Sequence, residues 1–379
     1  MSLPDDIPEA DRLEGAPHPR ETARLVGQEA AEAGFLEAFN SGRLHHAWLI
    51  TGPKGVGKAT LAWRLARFLL ATPPAEEDGL FGAPPPPATL DIAPEHPVFR
   101  RTLALSEPGL FLLRRPWDEK AKRHKKEITV DEARKLKGFF SMSATDGGHR
   151  AVIIDSADEM NPSAANAVLK LLEEPPARTT LFLVSHQPSR LLPTIRSRCR
   201  TLRCRTLTPP ELQQSLEAAG TEIPESADAL TALADGSVGA AHSLLNNDGL
   251  ALYTALVRLF ETAPTMDREM ALAFAEKCGG RAGAGTAEQA FGMIDLFLTR
   301  LARTGALGPP APEAARGEAA LLSRLCPNVS AARHWATLHQ SLGERSRHGL
   351  AVNLDPSALL LDTVLKINAG AGGVVPAPA

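Results

Sequence analysis

The residues best suited to chemistry form a glycine-rich stretch, Gly52-Pro-Lys-Gly-Val-Gly-Lys58. The pattern G-x-x-x-x-G-K is typical of loops whose backbone N–H groups surround phosphate oxygens while the lysine supplies a positive charge. The next position normally carries a Ser or Thr hydroxyl that binds Mg²⁺, and here it is Ala59. Thr60 points about 100° further around a helix and is a poor substitute. The candidate cofactor-binding residues of this loop are Gly52, Gly55, Gly57, Lys58 and Thr60.

A carboxylate, Asp155, ends the apolar run over residues 151–155. In phosphate-binding folds the terminal Asp of such a strand can hold Mg²⁺. The next residue is Ser156, at the position where hydrolysing members of this class usually have a Glu that positions the attacking water. Taken alone, Asp155 is equally compatible with a plain carboxylate at a strand end. Its combination with the glycine-rich loop favours the phosphate-site interpretation.

An arginine lies in the sequence Ser197-Arg198-Cys199, just after the last helix predicted for the α/β part. A guanidinium on an exposed loop can stabilise the charge of a phosphate group in transfer. Supplied to a neighbouring chain, such an arginine finger accelerates the reaction by roughly 10³–10⁵. An isolated exposed arginine is more commonly a solvated charge. Arg198 is therefore a candidate catalytic residue because it accompanies a phosphate site.

Alternating strand and helix patterns position these residues. An apolar run over 46–50 precedes the glycine-rich loop, and apolar residues at helical spacing follow the loop as far as Pro73. Further strand-like runs cover 151–155, 181–184 and 201–205. Between the first two of these, Asn161 and Pro162 are typical of the first positions of a helix. The alternation predicts an α/β domain with a mostly parallel sheet.

Beyond residue 205 the sequence predicts helices only. Thr208 and Glu211 have capping-box spacing, and amphipathic segments continue to Ile367. The predicted fold class is therefore α/β plus all-α. The predicted regions are a flexible N-terminal arm over 1–20, an α/β phosphate-loop domain over 21–206, a small helical domain over 207–247, a larger helical domain over 248–367 and a disordered tail over 368–379.

The composition excludes several classes of protein. Of the 379 residues, 44% are hydrophobic and 22% are charged, which argues against a disordered or fibrous chain. The net charge of −3 is not that of a polycation, and an aromatic content of 5% argues against a platform that stacks single-stranded bases. No apolar stretch reaches the length of a membrane span, and the N-terminus does not resemble a signal peptide. We expect a cytoplasmic protein whose four cysteines are reduced.

The stretch from Arg114 to Lys126 is basic and holds seven Lys and Arg residues. One interpretation is contact with DNA phosphates or with a partner subunit. The other is a solvated hairpin or loop between elements. Asp118, Glu119 and Glu127 lie within or beside the stretch and favour the second interpretation, since a continuous phosphate track would contain fewer acids.

Several motifs together resemble the bacterial clamp-loader branch of the AAA+ ATPases, and within that branch the delta-prime family. The likeness covers residues 20–245 well, and the helical region to 367 more weakly. The motifs are the run from Asp155 to Pro176, the triplet Ser197-Arg-Cys199, the triplet Val26-Gly27-Gln28, the triplet His45-His46-Ala47 and the glycine-rich loop.

The resemblance implies roles for particular residues. It implies an AAA+ domain, a helical lid and a C-terminal helical collar, in a five-subunit ring with gamma or tau subunits and a delta subunit of DNA polymerase III. That ring places the sliding clamp on primed DNA. Arg198 would act on ATP held by the neighbouring subunit. Ser185 matches the sensor-one position, and Val26 matches the region that lines the adenine pocket in relatives that bind nucleotide.

The departures from the family pattern concern hydrolysis. Ala59 replaces the hydroxyl that binds the metal, Ser156 replaces the glutamate, and Ala240 replaces the sensor-two arginine. Because the trans-acting Arg198 is kept, we expect a subunit that completes its neighbour's site without hydrolysing ATP itself, with weak affinity for ATP or ADP through Lys58. The stretch 72–100 contains no Cys, so the zinc module of many relatives is not expected.

Two alternatives stay open at this point. The chain could be an active AAA+ motor subunit in which Thr60 or a water replaces the missing hydroxyl. It could also be an unrelated phosphotransferase with a phosphate loop, although the helical C-terminal third shows no sign of a pocket for a small phosphate acceptor.

Overall fold

The structure is a computed structural model that describes residues 8–72, 85–141, 148–224, 227–246, 248–279 and 286–374. The chain forms two compact units. The N-terminal unit comprises the chain up to Glu222 together with Gly236–Gly239, and the C-terminal unit comprises Ile223–Asp235 and the chain from Ala240 onward. The predicted lid region over 207–247 is thus divided between the two units.

The N-terminal unit is built on a five-stranded parallel sheet. Its strand order is β2-β5-β6-β1-β7, while β3 and β4 form a separate two-stranded antiparallel hairpin. The strands are β1 (Ala47–Thr51), β2 (Leu110–Arg114), β3 (Trp117–Asp118), β4 (Arg123–His124), β5 (Arg150–Asp155), β6 (Thr179–Ser185) and β7 (Arg200–Arg203). The helices are α1 (Glu29–Asn40), α2 (Lys58–Ala71), α3 (Pro97–Leu103), α4 (Val130–Ser141), α5 (Pro162–Glu173), α6 (Pro193–Arg196) and α7 (Pro209–Ala218).

Helices cover both faces of the sheet, which explains why the central strands read as continuous apolar runs. Alternate residues of β1 point to opposite faces, so Trp48 and Ile50 join one buried cluster with α1 and α2. Ala47 and Leu49 join the other cluster with α4 and α5. The predicted α/β fold class is confirmed by this arrangement.

Local capping signals set the helix boundaries. Asn161 accepts a hydrogen bond from the backbone N–H of Ala164 and caps α5, with Pro162 at its first position. Thr208 and Glu211 form the predicted capping box at the start of α7. These residues satisfy N–H groups that have no partner inside the helix.

The segment before α1 is packed rather than loose over residues 8–20. His18 is fully buried, and Asp11 lies beside it, with 3.3 Å between Asp11 Oδ1 and His18 Nε2. Arg114, at the end of β2, forms ion pairs with both Asp11 and Glu9. The flexible arm predicted from the polar, proline-rich sequence is therefore contradicted for these residues, because their partners lie about a hundred positions away in the chain.

The C-terminal unit is all-helical, as predicted. Its helices are α8 (Ala227–Ala234), α9 (Val238–Asn246, of which the first two residues belong to the N-terminal unit), α10 (Gly249–Phe260), α11 (Arg268–Gly279), α12 (Thr286–Leu307), α13 (Glu318–Leu325), α14 (Val329–Ala351) and α15 (Pro356–Gly372). A buried polar group lies among them, in which Glu318 accepts hydrogen bonds from Tyr253 and Arg300 at 2.6 and 2.7 Å. In the described part of the chain, no helix is both long enough and apolar enough to span a membrane.

The predicted disordered tail over 368–379 is wrong for its first residues. Helix α15 continues to Gly372, and Ala371 is fully buried. The glycines and alanines at this end of the helix allow close packing, since a side chain on Gly370 would meet Leu338 of α14. Residues 375–379 lie outside the described part of the chain.

Candidate phosphate-binding site

The glycine-rich loop joins β1 to α2, as predicted. Thr51, the last residue of β1, is in register with Ser185 at the end of β6, and β5 ends beside them at Asp155. The carboxyl ends of parallel strands form the edge of the sheet where ligands bind in α/β folds. The fold thus brings Lys58, Asp155 and Ser185 to one edge.

Two glycines of the loop are required by its geometry. Gly57 caps α2 in the left-handed region at φ 98°, and Gly55 has φ 79°. A side chain on Gly55 would also overlap Ser237 Oγ and Gly239. Only glycine adopts such angles without strain, so the loop conformation depends on these residue types.

Lys58 is folded back onto its own loop. Its side chain is 2% exposed, and Nζ donates hydrogen bonds to the carbonyl oxygens of Gly52 at 2.8 Å and of Pro53 at 2.5 Å. Burial lowers the pKa of Lys58 to about 8, an effect that the nearby carboxylate of Asp155 partly offsets. The Nζ group therefore satisfies two carbonyl oxygens of its own loop, although burial disfavours its positive charge.

Asp155 lies in an environment that disfavours its charge. Burial raises its pKa to about 7, the negative charge of Asp11 adds to this rise, and Ser156 Oγ opposes it by donating a hydrogen bond of 3.1 Å. Metal binding requires the ionised carboxylate, which is only partly present near neutral pH. With Ala59 offering no oxygen and Thr60 half-buried one position later, the residues do not fit a hydrolytic magnesium site.

Ser156 and His186 occupy the space beside Asp155. The distance between Ser156 Oγ and His186 Nε2 is 3.0 Å. Burial, with the positive charge of Lys58, lowers the pKa of His186 to about 4, so the imidazole is neutral at physiological pH. Asp158 accepts a hydrogen bond from the His186 backbone N–H at 3.0 Å. The carboxylate of Asp158 is therefore committed to the backbone and does not replace the glutamate missing at position 156.

Ser185 is the predicted residue whose surroundings best suit a phosphate. It is fully buried, and within the described residues its hydroxyl has no hydrogen-bond partner. An unsatisfied buried hydroxyl is costly, and a phosphate oxygen or an ordered water would satisfy it. The combination of Ser185, Lys58 and the loop glycines therefore fits a phosphate group.

Val26 is half-buried just before α1. Gln28, two positions later, was not predicted to be a site residue. Gln28 is 3% exposed, and its amide nitrogen donates to the carbonyl oxygens of Val56 at 3.1 Å and Arg205 at 2.9 Å. Its amide oxygen accepts from the Arg205 N–H at 3.0 Å. Gln28 thus connects the loop to the segment after β7. The triplet Val26-Gly27-Gln28 was singled out from the sequence, but no spacing within it indicated that Gln28 would bind the backbone of Arg205.

The segment Gly236–Gly239 lies against the loop. Ser237 Oγ donates a hydrogen bond of 2.9 Å to the carbonyl oxygen of Lys54, and the Gly239 N–H donates one of 3.0 Å to that of Gly55. These contacts were not predicted, because the segment is more than 180 residues away in sequence. They hold the loop through the carbonyl oxygens of Lys54 and Gly55.

Arg198 is not brought to this site. It lies between α6 and β7, and Arg200 at the start of β7 is in register with Trp48 near the start of β1. The glycine-rich loop leaves from the other end of β1, which is roughly 13 Å long for five residues. Arg198 forms an ion pair of 3.0 Å with Glu173 and is 37% exposed. Its side chain is on the edge of the sheet opposite to Lys58.

Comparison with known proteins finds relatives that share the part of the chain containing this site. A family model described as "DNA polymerase III, delta subunit" matches residues 27–208, which include the loop, Asp155, Ser185 and Arg198. The match covers just under half of the chain, and over these residues the chain is similar to that family.

Members of this family share substantial sequence with the chain. DNA polymerase III subunit delta′ of Pseudomonas aeruginosa is 39% identical over 196 residues, which are 51% of this chain and 53% of that protein. Subunit delta′ of Escherichia coli is 35% identical over 217 residues, 56% of this chain and 58% of that protein. The chain thus spans little more than half the length of these relatives. The predicted likeness to the delta-prime family is confirmed.

A solved structure also resembles the chain. It is a DNA polymerase III gamma subunit-related protein from Thermotoga maritima, with a TM-score of 0.45 and 15% sequence identity. The match covers 89% of this chain and 99% of that protein.

Proposed function

We propose that the chain is a delta-prime clamp-loader subunit of a DNA polymerase III holoenzyme, which supplies Arg198 to a neighbour's ATP and does not hydrolyse ATP itself. The observation that carries this proposal is the placement of Arg198. Its side chain is on the edge of the sheet opposite to its own phosphate loop, so it can serve only a site on another chain. A guanidinium in this role stabilises charge on the transferring phosphate group.

The chain's own site supports binding without turnover. Lys58, the loop glycines and the unpartnered hydroxyl of Ser185 suit a phosphate group. Ala59 and Ser156 remove the groups that would hold Mg²⁺ and orient water. We therefore propose weak binding of ATP or ADP by Lys58, with Val26 beside the base, and no zinc.

The proposed partners are gamma or tau and delta subunits, and through them the sliding clamp and primed DNA in the cytoplasm. Relatives named gamma/tau support this, since subunit gamma/tau of Mycobacterium tuberculosis is 30% identical over 207 residues. Related subunits of one ring are expected to share the surfaces by which they contact one another.

The test is ATP turnover by the purified chain alone, and then with gamma and delta partners. The lone chain should show none, and Arg198→Ala should lower turnover of the assembled ring to that of its remaining sites. Arg196→Ala removes an exposed arginine from the neighbouring helix α6 and should leave the ring unchanged. Size-exclusion chromatography should show intact rings with both variants.

Two results would overturn the proposal. If ring turnover is the same with Arg198→Ala, the arginine has no catalytic role. If the lone chain hydrolyses ATP and Lys58→Ala abolishes this, the chain is an active motor subunit, the alternative that its retained Lys58 and Asp155 leave open.

A further inference from the structure

The basic stretch forms a hairpin at the same edge of the sheet as the phosphate loop. Strands β3 and β4 pair Trp117 with His124 and Asp118 with Arg123, and the two aromatic rings meet edge to face with centroids 5.0 Å apart. The hairpin follows β2, whose last residue is in register with Asp155. The stretch is thus a hairpin, a geometry compatible with both interpretations of the sequence.

The base of the hairpin is fixed to the body of the unit. Arg115 forms an ion pair of 2.8 Å with Glu159, and Arg114 is paired with Glu9 and Asp11. The Lys125 N–H donates a hydrogen bond of 2.9 Å to the Pro116 carbonyl oxygen. These contacts neutralise the two arginines at the base and hold the rest of the hairpin outward.

The turn and the returning strand, residues 120–126, are called the tip, and they differ from the base because none of their described side chains is neutralised by an ion pair. From residue 120 to residue 126 the chain has five cations and no acid, and all five side chains belong to exposed residues. Among the described residues, none of the five forms an ion pair with a carboxylate. They are Lys120, Lys122, Arg123, Lys125 and Lys126.

Three acids flank these cations: Glu119 and Glu127 are exposed, and Asp118 is committed to the backbone. Asp118 Oδ1 accepts hydrogen bonds of 3.0 Å from the N–H groups of Lys120 and Ala121, which shape the turn. These bonds, together with the positive charges of Lys125 and Arg123, lower the pKa of Asp118. One acid thus orders the turn, while the cations remain directed to solvent on a chain whose total charge is −3.

From this arrangement we propose that the tip of the hairpin, residues 120–126, binds the phosphate backbone of double-stranded DNA without regard to sequence. Backbone recognition needs clustered cations and little else, and it makes binding depend on salt. A protein partner would call for apolar or aromatic contacts, and the tip has no large apolar side chain. Single strands would call for exposed aromatic rings, whereas the indole at the start of the hairpin, Trp117, is half-buried against His124.

The proposed function names primed DNA only as a partner of the assembled complex, whereas this proposal assigns a DNA contact to the chain's own hairpin. It is tested without partner subunits. Fluorescence anisotropy would measure binding of the full chain to a labelled duplex of about 20 base pairs across about 50–200 mM salt, a range over which the affinity of phosphate contacts changes steeply. The variant is Lys122→Gln, Arg123→Gln and Lys125→Gln together. The control, Arg258→Gln, Arg268→Gln and Lys277→Gln, removes equal charge from exposed residues of the C-terminal unit.

We expect the hairpin variant to lose affinity by about 10- to 100-fold at low salt and to reduce the slope of log K against log salt by about 2.7, or about 0.9 for each lost phosphate contact. The control should stay within about twofold. Three results would each overturn the proposal. The two variants could lose affinity for the duplex equally, the slope of log K against log salt could stay unchanged, or the unmodified chain could fail to bind the duplex. Normal DNA binding by the hairpin variant would overturn it as well. None of these results depends on ATP turnover, so failure of DNA binding leaves the arginine-finger proposal standing.

Discussion

The two edges of the central sheet differ in how they treat their charged groups. At the carboxyl edge, Lys58 is 2% exposed and bonded to its own loop, and Asp155 is bonded to Ser156. At the amino edge, Arg198 is 37% exposed and has an exposed acid, Glu173, as its partner. The first edge has replaced reactive groups by internal contacts, while the second keeps a cation available. The two edges of one sheet thus differ in whether a charged group is buried in internal contacts or left accessible.

The largest effect is expected where the carboxyl edge relies on backbone geometry. Gly55→Val combines a positive φ with overlap against Ser237 and Gly239, and should destabilise the chain by about 3 kcal/mol. Urea unfolding would measure this. Gly292→Ala, in α12 with open space around it, is the control and should be neutral or slightly stabilising. Equal stability of the two variants would show that the loop is not held as described.

The next largest decrease in stability is expected when the buried ammonium group of Lys58 is removed. Lys58→Ala leaves the carbonyl oxygens of Gly52 and Pro53 without their donor, which should cost about 2 kcal/mol. Thermal unfolding at neutral pH would measure the change. A variant as stable as the parent chain would mean that the lysine does not stabilise its loop, and the contrast between the two edges would disappear.

Acid titration gives a third comparison, between two acids close to the carboxyl edge. Burial opposes ionisation of Asp11, but hydrogen bonding to His18 and the charge of Arg114 lower its pKa to about 2. Its folded pKa lies below the unfolded value of about 3.9, so it stabilises the fold above about pH 4 and that stability is lost as pH falls towards 2. Asp11→Asn should cost about 2 kcal/mol at neutral pH and little near the folded pKa, as measured by urea unfolding at each pH.

Asp155 should behave in the opposite way. Its pKa is raised to about 7, so the folded state binds its proton more tightly than the unfolded state does. Its contribution to stability is therefore present below about pH 4 and is lost as pH rises towards 7. Asp155→Asn should gain stability relative to the parent chain over that range, as measured by urea unfolding. A constant difference at all pH values would contradict the burial of this carboxyl group.

The smallest effect is expected at the amino edge. Arg198→Ala removes an exposed ion pair with Glu173, and such pairs contribute about 0–1 kcal/mol. Unfolding should therefore be nearly unchanged even though ring turnover falls. A loss as large as that of Lys58→Ala would indicate a structural arginine and weaken the catalytic proposal.

Much of the fold followed from local patterns. The strand, loop and helix around Lys58, the cap at Asn161 and the capping box at Thr208 depend on neighbouring residues, so spacing alone indicated them. The placement of Arg198 on the opposite edge could not be predicted in the same way. It depends on the register of β7 with β1, which the spacing of residues in the sequence does not determine.

The predictions that were wrong or missing concern residues whose positions depend on contacts far away in the sequence. The N-terminal segment was predicted to be loose because its order depends on Arg114, more than a hundred residues away. The tail looked disordered because glycine and alanine favour no buried position by themselves, yet Ala371 is buried. Gln28 and Ser237 likewise act through distant backbone groups, Arg205 and Lys54, so their roles became visible only in three dimensions.

The opposite placement of Lys58 and Arg198 also gives the subunit a direction. A contact in which one chain's arginine meets the next chain's phosphate loop joins two unlike surfaces, so it runs head to tail and repeats around a ring. Under the proposed function, this chain would supply an arginine without hydrolysing ATP itself, and it would end the series of working sites in that direction. In a ring built this way, the order of subunits rather than their number alone decides how many ATP molecules are hydrolysed.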